Sequence, residues 1–303
     1  MSSQEKLLVG IGELLWDYLP DGEQLGGAPG NFAYIASRWG VRSVIASRVG
    51  NDPSGAKAIA DLRGKGVDVT FLQQDNAHAT SRVEVTIDAG GQPSYTIHED
   101  VAWDYLAWTP QWETLARQTA AVCFGSLGQR HPAARETIRR FLKTTQRDAL
   151  RVFDVNLRQN FFAPDILHDS FQQANITKLN HEELPRVSQM LGLPDADALR
   201  QIHNLRQRYD LSLVCVTRGG GGSWLVTASE TAEHSGVKVK IADTVGAGDA
   251  FTATLTHLYL HGTPLAEINE AANRVGAWVA SQAGAMPPVT PELLQQIAGS
   301  VES

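Results

Sequence analysis

The sequence predicts an α/β protein with a central, mostly parallel β-sheet, helices on both faces of that sheet, and a small β-sheet lid. Short β-branched and apolar runs alternate along the chain with longer segments of helical period, a pattern typical of parallel strands joined by covering helices. Residues 80–98 instead alternate apolar and polar side chains around a glycine-containing turn, which indicates an antiparallel hairpin with one covered face. The length of 303 residues suits one such domain.

The strands of the large sheet are predicted at residues 7–11, 44–48, 121–124, 152–155, 176–178 and 213–217. Helical spacing of the apolar residues predicts helices over residues 31–39, 54–65, 133–144, 182–191 and 196–209. The lid is expected from about residues 13–25 and 80–105, within a single domain that spans residues 1–303. Ligands of such sheets bind beyond the carboxyl ends of the strands, so functional side chains are expected there.

Composition excludes several classes of partner. The formal charge is −7, with 33 acidic and 26 basic residues, which disfavours nucleic acid and anionic membranes as main partners. Cys123 and Cys215 each lie in an apolar run, so we expect two reduced, buried strand thiols. The first residues lack the features of a signal peptide, and no run approaches the ~18 apolar residues of a membrane span. A cytoplasmic protein is therefore expected.

The most informative motif is DTVGAGDAF at residues 243–251, between a strand-like run, VKVKI, and a segment with apolar residues at 251, 255, 258 and 259. That spacing predicts a helix which opens at Gly246, Ala247 and Gly248. Small residues leave the backbone bare, so an anion can approach the unpaired N–H groups, and the helix dipole favours negative charge there.

Asp249 lies in the first turn of this predicted helix. Phosphoryl transfer needs a base for the attacking hydroxyl and donors for the charge on the transferred group, and this one stretch supplies both. The alternative is a glycine-rich turn whose Asp only caps the helix.

Together with LGGAPGN at residues 25–31, the motif resembles the two signatures of the ribokinase-like sugar kinases, the PfkB family. The resemblance runs from about residue 7 to residue 290. It implies a ribokinase-like fold and transfer of the γ-phosphate of MgATP to a sugar hydroxyl. It also implies that Asp249 is the catalytic base and that residues 246–248 form the anion hole.

On the sugar side, the resemblance implies that Asp17 accepts hydrogen bonds from sugar hydroxyls, as a carboxylate with two acceptor oxygens can. Gly26, Gly27 and Asn31 would line the sugar. The alternatives are a plain turn for the glycine pair and a helix-start cap for Asn31.

The pattern is most similar to that of fructokinases, because GELLWD, GGAPGN and DVNLR occur together. Arg158, which ends DVNLR, is expected to contact the sugar or the phosphate, or else to form a surface salt bridge. The related 2-keto-3-deoxygluconate kinases usually carry a lid Arg for the substrate carboxylate, whereas His98 stands near that position here. A neutral imidazole replaces a bidentate guanidinium poorly, so a neutral sugar is expected. His98 either contacts that sugar or faces solvent.

The resemblance implies a nucleotide site made of residues that follow later strands and of one helical residue: Asn180, Thr217, Gly219, Gly222 and Asn273. Glu183, in an Asn-x-x-Glu element with Asn180, would organise Mg²⁺ through water. As a bare pattern, Asn-x-x-Glu can equally be a helix capping box, and the glycines after Thr217 can be a plain hairpin turn.

Three finer expectations complete the picture. Asp243, Val245 and Gly284 stand where some relatives hold K⁺, although Gln282 replaces an Arg that is frequent there. A homodimer through the lid is expected, as in several relatives. The rival functions are a sugar-acid or nucleoside kinase on the same scaffold and, more remotely, a sugar-binding regulatory protein without catalysis. No P-loop motif and no zinc-ligand spacing occurs in the sequence.

Overall fold

The computed structural model describes residues 6–19, 22–87 and 93–299. In chain order, its strands are β1 (Leu7–Ile11), β2 (Leu15–Leu19), β3 (Gly22–Gly26), β4 (Arg42–Ala46), β5 (Arg48–Gly50), β6 (Gln73–Asp75), β7 (Ser81–Ile87), β8 (Pro93–Ile97), β9 (Thr119–Gly125), β10 (Leu150–Asp154), β11 (Ile176–Asn180), β12 (Leu213–Thr217), β13 (Ser223–Val226) and β14 (Thr231–His234). The α-helices are α1 (Ala28–Arg38), α2 (Pro53–Gly64), α3 (Pro110–Gln118), α4 (Pro132–Thr144), α5 (Pro164–Gln173), α6 (Glu183–Met190), α7 (Ala198–Tyr209), α8 (Ala247–Leu260), α9 (Leu265–Ala280) and α10 (Pro291–Ala298).

The large sheet has eight strands in the order β14-β13-β12-β11-β10-β9-β1-β4. The strands from β12 to β4 in this order pair in parallel, and β13 and β14 extend the sheet antiparallel at one edge. The parallel strands therefore end at one common edge, where the functional side chains were expected. The predicted fold class is confirmed.

Both faces of this sheet are covered, which explains why its strands read as continuous apolar runs. Alternate residues of β9 illustrate the two layers. Cys123 packs into the cluster formed with α1, α8 and α9, whereas Val122 and Phe124 pack into the cluster formed with α3 to α7. Cys123 and Cys215 are free and buried, as predicted. None of the helices in the described ranges combines the length and apolarity that crossing a bilayer needs.

The predicted hairpin belongs to a second, four-stranded sheet with the order β3-β2-β7-β8. Strands β7 and β8 pair antiparallel, whereas the expected turn at residues 88–91 lies outside the described residues. This lid is attached to α2 through Trp16 of β2. The Trp16 indole Nε1 donates to the Ser54 carbonyl at 3.0 Å, and the Lys57 ammonium lies 4.7 Å from the centre of the Trp16 ring.

Two local predictions were wrong. The strand expected at residues 44–48 divides at Ser47, whose hydroxyl donates to the Gly12 carbonyl at 2.7 Å; β4 joins the large sheet and β5 pairs with β6. The VKVKI run at residues 237–241 is not a strand, and none of the strands in the described ranges pairs with it. Ile241 is consequently 64% exposed.

Candidate active site

The helix α8 begins as the motif predicted, and a close approach of two loops explains its first glycine. Gly246 is the residue that precedes α8 and has a φ of 78°, a conformation that strains residues with a Cβ. A Cβ at this position would also lie 2.6 Å from Cα and Cβ of Ala285. The loop around Ala285 therefore packs directly against the start of α8, and only glycine fits between them.

Two of the three expected anion-binding N–H groups have no acceptor within the described chain. These belong to Gly246, which precedes α8, and to Gly248 in its first turn, where N–H groups lack intrahelical partners. The Ala247 N–H donates to the Thr244 carbonyl at 3.3 Å, which is longer than an ordinary N–H···O bond. The helix start thus offers an anion two free donors and one weakly engaged donor.

Asp249 lies in the first turn of α8 and accepts a hydrogen bond of 2.7 Å from Nδ2 of Asn31. Burial, together with the charge of Asp154, raises the pKa of Asp249 to about 6, against the opposing effects of Asn31, Lys178 and Arg158. Asn31 is 3% exposed and lies within α1, one turn after its start. The helix-cap interpretation of Asn31 is therefore wrong, because its side chain crosses to the residue expected to be the base.

The carboxylate of Asp17 lies over the first glycine of the Gly26–Gly27 pair. A Cβ at Gly26 would collide with Oδ2 of Asp17, and one at Gly27 would lie 2.6 Å from the Glu13 carbonyl oxygen. Gly27 has a φ of 111° and is the single residue between β3 and α1, whereas Gly26 is the last residue of β3. Burial is the main cause that raises the pKa of Asp17 to about 6, and the charge of Asp243 adds to it.

Arg158 lies on the loop that follows β10, and its charge lowers the pKa values of Asp17, Glu13 and Asp249. Its positive charge therefore acts on three carboxyl groups of this region. No ion pair of Arg158 is found in residues 6–19, 22–87 and 93–299, so the surface-salt-bridge interpretation finds no support there.

His98 is placed differently from the other expected sugar residues. Its Nε2 lies 3.3 Å from Oε1 of Glu84 in the same lid sheet, and its carbonyl accepts a hydrogen bond from Arg130. No contact that joins His98 to Asp17, Asn31 or Asp249 is found in the described parts of the chain. The lid thus places His98 beside the carboxylate of Glu84.

Asn180 and Glu183 form the capping box that was the alternative to a magnesium site. Oδ1 of Asn180 accepts from the Glu183 N–H at 2.9 Å, and Oε2 of Glu183 accepts from the Asn180 N–H at 2.8 Å. Oε1 of Glu183 accepts from the Leu157 N–H at 2.8 Å. Because both oxygens already accept N–H groups, this buried carboxylate could act on a hydrated Mg²⁺ ion only through its remaining lone pairs.

The glycines after Thr217 form the turn between β12 and β13, as the plain-turn alternative predicted. Gly219 and Gly222 have φ values of 55° and 83°, and a Cβ at Gly222 would collide with the His234 carbonyl. Asn273 of α9 lies beside this turn, where its Nδ2 donates to Oγ of Ser223 at 2.7 Å. The structure thus brings the residues expected around the nucleotide together at the carboxyl edge of the sheet.

The residues expected around K⁺ lie in two adjacent loops. Oδ1 of Asp243 accepts from the Val245 N–H at 2.9 Å. Gly284, with a φ of 75°, faces Oε1 of Gln24 in the lid strand β3. No group of three His, Cys, Asp or Glu side chains that could hold a metal ion occurs among residues 6–19, 22–87 and 93–299.

Sequence reasoning missed three charged residues of this region: Glu13, Asp154 and Lys178. Each residue as a whole is at most 7% exposed, and charged residues are seldom buried to this extent unless they are paired. A charge at the end of an apolar strand, as in RVFD and ITKLN, was the signal that could have revealed two of them. The pairing itself depends on strand register, which the sequence does not display.

Glu13 makes a prediction about stability. Burial, with a smaller effect of Asp249, raises its pKa from 4.5 to about 7. Between these two values the folded protein keeps a proton that the unfolded chain releases, so the stability of wild type falls as the pH rises. Glu13→Gln removes this dependence. Relative to wild type, the free energy of unfolding of the variant should rise by roughly 3 kcal/mol between pH 4.5 and pH 7.

Urea unfolding of both proteins at several pH values measures this difference. The control is Glu136→Gln, a change of the same chemistry at an exposed position of α4, which removes no buried carboxyl group. A constant difference for Glu13→Gln would contradict the burial effect.

The comparisons with known proteins agree with this geometry. Residues 22–293 match the model of the pfkB family carbohydrate kinases. The chain belongs to this family. This PfkB kinase is 30% identical over 295 residues to a fructokinase of Escherichia coli, with 91% of this chain and 94% of the relative covered.

Solved structures show the same architecture. An uncharacterized sugar kinase from Pyrococcus horikoshii, solved in complex with ATP, superimposes with a TM-score of 0.80 at 30% identity and covers 96% of this chain and 98% of its own. A fructokinase from Vibrio cholerae, with fructose, ADP and calcium bound, has a TM-score of 0.81 at 23% identity and covers 98% and 100%. The PfkB kinase described here is thus a phosphotransferase that acts on a sugar hydroxyl.

Proposed function

We propose that this kinase transfers the γ-phosphate of MgATP to a primary hydroxyl of a neutral sugar, namely fructose. The observation that carries the proposal is the position of Asp249, in the first turn of a helix whose preceding residues leave their backbone bare. The Asn31 amide holds one oxygen of Asp249 at 2.7 Å, which leaves its other oxygen available to a substrate hydroxyl. A base and an anion site then lie within four consecutive residues.

In the proposed reaction, the sugar oxygen attacks the γ-phosphorus while its proton passes to Asp249, and the bond to the bridging oxygen of ADP breaks. A pKa of about 6 keeps Asp249 mostly ionised at neutral pH, yet makes it a better proton acceptor than an exposed Asp. The N–H groups of Gly246 and Gly248, with that of Ala247, would donate to the oxygens of the transferred group.

A neutral sugar is favoured by the charges around the pocket. Asp17 and Asp249 are acceptors for hydroxyl groups, and Arg158 is the cation whose charge reaches them both. On the lid, the expected carboxylate partner is replaced by His98, which already lies beside Glu84. Relatives named fructokinase at about 30% identity support the same choice.

For the nucleotide, we propose a site along the carboxyl edge of the sheet, at Asn180, Thr217, Gly219, Gly222 and Asn273. The ATP complex of the Pyrococcus relative supports it. A ribokinase-like neighbour from E. coli carries both ATP and Mg²⁺. Glu183 fits a water-mediated role toward Mg²⁺, because an ion that keeps its hydration shell needs acceptors for its waters rather than vacant carboxylate oxygens.

A coupled assay of ADP release tests the substrate class. With fructose, ribose, 2-keto-3-deoxygluconate and adenosine as acceptors, kcat/KM for fructose should exceed the other values by at least ~10-fold, since sites built for hydroxyl groups discriminate strongly against other substituents. If the sugar acid were phosphorylated and fructose were not, the assigned substrate would be the sugar acid, and the proposed catalytic mechanism would be unchanged. Tight sugar binding with no turnover of any acceptor would instead favour the regulatory protein.

We also propose that the lid closes over the sugar and excludes water, which limits hydrolysis of ATP. The exposed side of the lid is the proposed dimer surface, and sedimentation of the free protein tests it.

The loops that carry Asp243, Val245 and Gly284 are the proposed site for K⁺. Replacement of K⁺ by Na⁺ at constant ionic strength in the kinase assay tests that site.

A further inference from the structure

Lys178 is a buried cation in the floor of the site. It lies on β11, directly opposite Asp154 on β10 in the strand register. Its ammonium lies 3.1 Å from each carboxylate oxygen of Asp154, and the two side chains are 9% and 3% exposed. Burial disfavours the charged form, but the carboxylates of Asp154, Glu183 and Asp249 outweigh it and raise the pKa of Lys178. The lysine is therefore a permanent positive charge.

This ammonium reaches the helix start that is expected to bind phosphate. A Cβ built on Gly248 would lie 2.9 Å from Nζ of Lys178, so the ammonium occupies the space that a side chain at residue 248 would need. Thr252, one turn further along α8, contacts both the Gly248 carbonyl and Oδ2 of Asp154 through its hydroxyl, at 2.9 Å each. Asp154 thus connects the lysine to the same turn of α8.

The charges around Lys178 allow its ammonium to interact with a negative phosphoryl group. Asp154 takes two of the three N–H donors of Lys178, and the described chain offers no acceptor for the third. The carboxylates of Asp154 and Asp249 lie at the start of α8, where a negative phosphoryl group would arrive. Of the cations that act on Asp249, Arg158 is on an exposed loop, whereas Lys178 is fixed beneath the helix start. A fixed donor requires little reorganisation when charge develops.

We propose that Lys178 donates its third N–H to the phosphoryl group during transfer and that Asp154 is the residue that positions it. The inference rests on the proposed phosphoryl site at residues 246–248. The ammonium stabilises charge only: the sugar proton still passes to Asp249, the bridging P–O bond still breaks, and no proton leaves Lys178.

Lys178→Met alone would leave Asp154 buried and unpaired, which can prevent folding. The decisive variant is therefore Asp154→Asn combined with Lys178→Met, in which both partners are neutral. We expect kcat for the best acceptor to fall by about 10²- to 10³-fold, the effect of losing one preorganised donor, whereas KM for the sugar and Kd for ATP should change less than about threefold. Lys143→Met, at an exposed position of α4, is the control.

A second measurement separates this role from a structural one. ADP with aluminium fluoride imitates the group in transfer, and the double variant should lose affinity for it, with sugar present, by about the same factor as kcat, while ADP alone binds as in wild type. A double variant with kcat within about threefold of wild type would overturn the proposal, since Lys178 would then only neutralise Asp154. The proposal would also be overturned if the double variant bound ADP with aluminium fluoride as tightly as wild type does. Different results would contradict the proposed function itself. These are a wild-type protein that phosphorylates no sugar, or an Asp249→Asn variant that keeps its activity.

Discussion

Asp249→Asn should retain the fold and the affinity for ATP while kcat falls by at least ~10²-fold, the low end expected when a general base is lost. The amide keeps the size of the carboxylate and can still accept the hydrogen bond from Nδ2 of Asn31. It has no basic oxygen to receive a proton. Because burial opposes the charge of Asp249, the variant should be at least as stable as wild type above pH 6.

Three measurements make this result specific. The coupled assay gives kcat, calorimetric titration gives Kd for ATP, and urea unfolding gives stability. Asp148→Asn, the same substitution at an exposed position between α4 and β10, should leave all three unchanged. If Asp249→Asn turned over at close to the wild-type rate, another group would have to accept the proton.

Gly246→Ala is expected to damage both stability and catalysis. A φ of 78° costs a residue with a Cβ roughly 1–2 kcal/mol, and the added Cβ would overlap Ala285. The start of α8 must then move away from that loop. Displacement of the N–H groups should lower kcat by about 10²-fold or more, as the removal of an oxyanion donor does.

Gly262, at the other end of α8, provides the matched control. It has nearly the same φ, 75°, but a Cβ there would meet nothing within 4 Å. Gly262→Ala should therefore show the conformational cost of roughly 1–2 kcal/mol in urea unfolding without a change in kcat. If both variants behaved alike, the packing of the Ala285 loop against α8 would have no part in catalysis.

Local patterns explain what could be predicted from the sequence. The motif around Asp249 combines a helix start, bare backbone and an acid within a few residues, and each of these depends on near neighbours in the chain. The parallel strands were readable because burial on both faces makes them uniformly apolar. Helix starts were less exact: α2 and α4 begin at Pro53 and Pro132, one residue earlier than predicted, because proline suits the first helical position.

The errors and omissions involve contacts between distant segments. The VKVKI run has the composition of a strand, yet no strand in the described parts of the chain pairs with it. The pairing of Asp154 with Lys178 depends on the register of β10 and β11, and the contact of Asn31 with Asp249 joins residues 218 positions apart. Burial of Glu13 depends likewise on segments that meet only in the folded protein. Such contacts are set by tertiary packing, which no short window of sequence contains.

The path of the chain through the small sheet limits how that sheet can be exchanged for the sheet of another kinase. The chain enters that sheet between β1 and β2, leaves it between β3 and α1, and returns for β7 and β8. Four covalent junctions must therefore match at once in any graft from another kinase, and two of them flank Glu13 and Gly27. With Asp17 in its proposed role, point substitutions on β2 disturb fewer junctions than exchange of the whole sheet.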